Sequence, residues 1–129
     1  GEAAQVIARL LEGEELFFEG KHYQLEGAIC RPGPHQEPRP AIWMGGKGDY
    51  LLKTVARHAD GWNFSWLGSI DTYRERLGVA EAACEAVGRD FESIVRTLVQ
   101  GGDIPGAGVA TEPASLFVDA EAAALLEDS

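Results

Sequence analysis

"PAIWMGGKGDYLLKTVARHADGWNFSW" (Pro40–Trp66) is the stretch on which the fold turns. Ala41-Ile42-Trp43-Met44 is a short, wholly apolar run, the composition of a strand buried on both faces in a parallel sheet. Gly45 to Asp49 follow as a turn. Leu51, Leu52, Val55, Ala56 and Ala59 then recur at helical spacing, and Asp60-Gly61 stops that helix. Beyond it Trp62, Phe64 and Trp66 alternate with Asn63 and Ser65, the period of a second strand. Strand, glycine turn, helix and strand together predict a βαβ unit.

The flanking sequence extends this unit. Upstream, Ala3, Val6, Ile7, Leu10 and Leu11 form one face of a helix that Gly13 stops. Residues 14–31 alternate loosely through Phe17, Phe18, Tyr23 and Leu25 about Gly20, which predicts a hairpin or extended excursion. "CRPGPHQEPRP" is proline-rich and reads as an extended linker, because each proline lacks a donor and restricts its predecessor. Downstream, Tyr73, Leu77, Ala80, Cys84 and Val87 mark another helix with Gly88 as its C-cap, and Ile94 to Val99 a third strand. The order helix, excursion, β, α, β, α, β predicts an α/β fold with a parallel sheet. After Gly101 the pattern decays into "GGDIPGAGVATEPAS", and Asp119 could cap a last Ala-rich helix through Leu126. Residues 1–101 therefore read as one domain and residues 102–129 as a Gly/Pro/Ala-rich tail.

The glycine turn carries the clearest chemistry. Gly45, Gly46 and Gly48 let the backbone bend sharply and approach a ligand. The helix starting near Asp49 has first-turn amides without internal acceptors and a dipole that favours an anion. Lys47 adds a positive charge beside them. Two readings stay open: a phosphate seat, or a tight β-to-α turn with a solvated lysine. The G-x-x-x-x-G-K-[ST] and GxGxxG spacings are both absent. Trp62, Phe64 and Trp66 read either as core or as the wall of a site for a flat ring, Trp66 being nearest a strand end.

The totals set limits on function. With 11 Lys and Arg against 21 Asp and Glu, the formal net charge is −10, which argues against nucleic acid and anionic membrane surfaces as partners. A chain of 129 residues can bury a real core. Cys30 and Cys84 show no paired spacing and read as free thiols in a reducing cytoplasm. No apolar run approaches the ~20 residues of a membrane span, and the sequence shows no signal peptide. His22, His35 and His58 fall on separate elements without metal-ligand spacing, so no metal is expected. Glu14-Glu15 reads as solvated charge, and no catalytic triad is legible, so no residue is assigned a catalytic role.

Five pieces in combination carry a family resemblance: Phe18 to Leu25, Arg31 to Pro40, Ile42 to Gly46, Ala56 to Trp62, and Cys84 to Asp90. Together they resemble the luciferase-like monooxygenase superfamily, and within it the bacterial oxidoreductases that use the deazaflavin coenzyme F-420. The resemblance covers roughly residues 1–99. It implies part of a (β/α)8 TIM barrel, roughly its C-terminal half, with FMN or F-420 bound at the C-terminal strand ends. It assigns the cofactor phosphate to Gly45, Gly46, Lys47, Gly48 and Tyr50, and brings Trp66 near the cofactor ring. It also implies a small-molecule substrate. A whole barrel needs about 250 residues, so the chain reads as a fragment, a truncated gene or a natural half-barrel. Its open sheet edges predict a homo-oligomer.

Overall fold

The computed structural model describes residues 1–65, 70–100 and 115–118. The chain divides into two compact units, Gly1–Ile42 and Trp43–Ser129.

The first unit holds α1 (Glu2–Leu11), β1 (Leu16–Glu19) and β2 (Gln24–Ala28), the two strands forming an antiparallel hairpin. Ala4, Val6 and Leu16 are buried. Glu2 ties the helix to the hairpin turn. Its carboxylate accepts the backbone N–H groups of Lys21 (2.8 Å), His22 (2.8 Å) and Tyr23 (3.2 Å). Those bonds, the one from His22 foremost, hold its carboxyl below the usual value. A Cβ at Gly20 would lie within van der Waals contact of that carboxylate and of the Phe18 ring, so only glycine lets the turn close on them. Beyond Ala28 the proline-rich segment runs through bends, without helix or strand, as anticipated.

The second unit holds β3 (Trp43–Gly45), α2 (Asp49–His58), β4 (Gly61–Ser65), α3 (Ile70–Glu85), a short 3-10 turn (Phe91–Ser93), β5 (Val95–Gln100) and β6 (Ser115–Val118). Among the described residues the sheet order is β3-β4-β5-β6, with β3, β4 and β5 parallel. Trp43, Gly61 and Val95 stand in register, as do Gly45, Asn63 and Thr97, so these six share one face. Met44, Trp62, Phe64 and Leu98 take the opposite face. There Trp62, Phe64 and Leu98 pack with Leu52, Val55, Ala56 and Ala59 of α2 and its end, and with Tyr73, Ala80 and Cys84 of α3. Trp62, Phe64 and Tyr73 form an aromatic cluster with centroids 5.3 to 6.3 Å apart. Burial pushes the Cys84 thiol up, so it remains protonated inside this core.

Gly88-Arg89-Asp90, the end of the Cys84 to Asp90 stretch, serves packing. Gly88, at φ +68°, turns the chain out of α3. Arg89 then donates to the carbonyls of Val55 and Ala56 (both 3.4 Å), in the last turn of α2. Asp90 caps the 3-10 turn through the Glu92 N–H (3.0 Å).

Three readings need correction. The run 41–44 is not buried on both faces. Ala41 is exposed and Trp43 is 47% exposed, because β3 pairs only with β4 among the described strands and Trp43 lies on the face away from the helices. Its ring lies over Gly61, where any Cβ would collide with it. Val87, read as the last apolar residue of this helix, lies beyond its end at Glu85 and is exposed, because the chain has already begun to turn. The tail contributes β6, antiparallel to β5, which the decayed pattern did not reveal. The helix read from Asp119 to Leu126 lies outside the described residues. Among the described residues, no helix is long and apolar enough to cross a membrane.

Candidate functional site

The glycine turn joins the C-terminal end of β3 to α2, on the side of the sheet where ligands of α/β proteins bind. Two hydrogen bonds fix its entry. The Gly46 N–H donates to the Asn63 carbonyl (3.1 Å), and the Trp62 indole N–H donates to the Gly46 carbonyl (2.8 Å). Trp62 is thus both core and clamp. Gly46 has φ +131°, where side chains are strained, and a Cβ there would meet Leu51 Cδ2 at 2.7 Å. The side chain of Asn63 in turn donates to Thr97 Oγ1 (2.8 Å), bracing β4 against β5 below the turn.

The start of α2 lacks a cap. Its N-cap is Gly48, which supplies no side-chain acceptor, so the first-turn amides look outward unsatisfied by the helix itself. A Cβ built on Gly48 meets nothing within 4 Å, which marks open space beside those amides. Lys47, Gly48, Asp49 and Tyr50 are all exposed, Tyr50 at 76%. This arrangement fits a phosphate: backbone donors and a lysine at a positive helix end, with room in front. Asp49 opposes it with a carboxylate in the first turn.

That carboxylate is not left alone. Arg76, 27 residues on in α3, places Nη1 2.6 Å from Asp49 Oδ1 and 3.5 Å from the Lys47 carbonyl. Its Nη2 pairs with Glu75 at 2.5 Å. These two carboxylates, Glu75 first, raise the guanidinium further above its ordinary value, so it stays charged. Sequence reading passed over Arg76, since no spacing rule links it to the turn.

Of the residues singled out in the sequence, Gly45, Gly46, Lys47, Gly48 and Tyr50 lie together on this turn. Trp66 lies outside the described residues. Trp62 and Phe64 belong to the core. His58, at the end of α2, has its imidazole pushed down by burial. Among the described residues no three His, Cys, Asp or Glu side chains are grouped to hold a metal.

With this geometry in view, likeness to known proteins becomes informative. The family described as luciferase-like monooxygenase matches residues 1–103, and the chain belongs to that family. Solved structures share the fold. The coenzyme F-420 dependent tetrahydromethanopterin reductase from Methanopyrus kandleri aligns at 23% identity with a TM-score of 0.68, over 77% of this chain and 28% of that one. An F-420-dependent secondary alcohol dehydrogenase, solved with an F-420–acetone adduct, aligns at 20% identity and TM-score 0.63, over 74% of this chain and 28% of that one. DmoA from Hyphomicrobium sulfonivorans aligns at 23% and 0.59, over 76% of this chain and 25% of that one. The described α/β unit is therefore part of a luciferase-like TIM barrel, and the chain spans about a quarter of the length of these solved chains.

Proposed function

We propose that this chain supplies the phosphate end of a cofactor site in a flavin- or deazaflavin-dependent oxidoreductase. The observation that carries this reading is the uncapped start of α2 behind an open, glycine-built turn, in a chain of this family. Gly45, Gly46, Lys47, Gly48 and Tyr50 hold the phosphate of FMN or of coenzyme F-420, and Trp66 borders the ring. When bound, that cofactor supplies hydride transfer to or from a small-molecule substrate. The protein's own residues bind and orient it: the amides of the turn donate to phosphate oxygens and Lys47 adds charge. Residues 1–101 form the luciferase-like segment and 102–129 an appended tail. The setting is cytoplasmic, with neither nucleic acid nor membrane as partner, and a homo-oligomer covers the open sheet edge at β3.

A second reading has its own support. The uncapped first-turn amides and the exposed lysine would serve equally a phosphate- or cofactor-binding or interaction module without turnover, or an inactive truncated remnant. One experiment separates the readings from each other and from a bare structural turn. The chain and its Lys47→Ala variant are titrated with FMN and with F-420, following tryptophan quenching, and then assayed for oxidation or reduction of the bound cofactor. Saturable binding weakened severalfold by Lys47→Ala supports the site; cofactor turnover adds the enzyme reading. Binding indifferent to Lys47 removes that residue from it.

A further inference from the structure

We infer that Arg76 is the positioning residue of the glycine turn: by neutralising Asp49 and holding the Lys47 carbonyl, it makes the start of α2 receptive to a phosphate. The inference rests on the phosphate reading above and adds a residue from a different helix to it. Asp49 is the first residue of α2, so its carboxylate stands beside the first-turn amides and repels an incoming dianion. The 2.6 Å charge-assisted bond from Arg76 Nη1 offsets that charge and draws the carboxylate toward α3, while Nη2 of the same guanidinium pairs with Glu75. The guanidinium is well placed for this, with its side chain only 19% exposed against 69% for Asp49. Its stem is thus packed while its target stands in solvent.

The second contact orients backbone. Arg76 Nη1 also reaches the Lys47 carbonyl at 3.5 Å, turning that oxygen toward α3. In a planar trans peptide the following N–H points the opposite way. The Gly48 N–H is therefore directed away from Arg76, beside a glycine with open space around it. Nη1 thus faces both the carboxylate of Asp49 and the Lys47 carbonyl, and Nη2 anchors the guanidinium on Glu75. Lysine has a compact ammonium and no fork, so it would offset Asp49 without holding Glu75 and the Lys47 carbonyl in the same geometry.

The test uses the full chain and phosphate-bearing and phosphate-free probes: FMN against riboflavin, and F-420 against its phosphate-free riboflavin-like core. Kd values come from tryptophan quenching at low salt, with far-UV circular dichroism confirming that each variant is folded. In the unaltered chain the phosphate-bearing member of a pair binds more tightly. Arg76→Gln weakens that member about tenfold and leaves the phosphate-free one unchanged, an effect that shrinks as salt rises. Arg76→Lys loses less than Arg76→Gln. Adding Asp49→Asn to Arg76→Gln restores most of the affinity, because the charge to be neutralised is gone. A brace that served only the fold would show no such rescue. Phosphate preference that survives Arg76→Gln intact overturns the inference and leaves the phosphate reading standing. A double variant no better than Arg76→Gln also overturns it. Absence of any phosphate preference in the unaltered chain overturns both.

Discussion

Replacing Gly46 by alanine should be among the most costly single changes in the second unit. The residue sits at φ +131°, a region that costs an L-residue about 1–3 kcal/mol. The new Cβ would stand 2.7 Å from Leu51 Cδ2, and moving that side chain off its rotamer adds about 0.5–1.5 kcal/mol. The backbone cannot slip away cheaply, because Gly46 is held on both sides: its N–H by Asn63 and its carbonyl by the Trp62 indole. The total is about 2–4 kcal/mol, a fall in Tm of roughly 8–16 °C for a domain of this size. Chemical and thermal unfolding, followed by fluorescence of the tryptophans at 43, 62 and 66, reads this directly. Gly48→Ala is the control. Gly48 has φ −74° and an unobstructed Cβ direction, so its cost is limited to a poorer N-cap, about 1 kcal/mol or less. A Gly46→Ala variant within about 0.5 kcal/mol of the unaltered chain, or no worse than Gly48→Ala, would refute the account of the turn.

Three further outcomes follow from the same contacts. Gly48→Ser gives α2 a side-chain cap and should stabilise the chain by a few tenths of a kcal/mol in urea unfolding, while weakening FMN or F-420 binding, since the new hydroxyl occupies an amide meant for phosphate. Glu2 has a depressed carboxyl, so the stability it contributes is fully present above its ordinary value of about 4.5 and is lost as pH falls through the lower folded value. The amide signals of Lys21, His22 and Tyr23 should therefore titrate together with one midpoint below 4.5 and stop doing so in Glu2→Gln; a midpoint at or above 4.5 would contradict the clamp. A thiol reagent should modify one cysteine readily in the native chain and the second only on unfolding, because Cys30 is partly exposed and Cys84 is buried; rapid reaction of both would show that the α3 core is not closed.

What the sequence made legible follows from how local each signal is. The βαβ unit could be read because Leu52, Val55 and Ala56 repeat at helical spacing while Trp62 and Phe64 alternate, and both patterns point at one core. The turn could be read because its glycines are contiguous. The burial of β3 could not, since a wholly apolar run looks the same whether both faces are covered or one carries a half-exposed Trp43. β6 escaped because only Leu116, Phe117 and Val118 mark it, beside a long glycine- and proline-rich stretch. The contacts that organise the turn escaped for a different reason. Arg76 to Asp49 spans 27 positions and Trp62 to Gly46 spans 16, and no local periodicity encodes such pairs. Arg89 on the carbonyls of α2 is the same kind of contact, which gives the last piece of the family resemblance a packing role in the fold.

The most direct test of the central claim is an amide-resolved NMR titration of the chain with FMN and with F-420. The account predicts that, as either cofactor saturates, the backbone amides of Lys47, Gly48, Asp49 and Tyr50 shift strongly, and that the phosphate-free counterpart leaves them nearly still. Saturable binding that moves other amides while these four stay in place would contradict it.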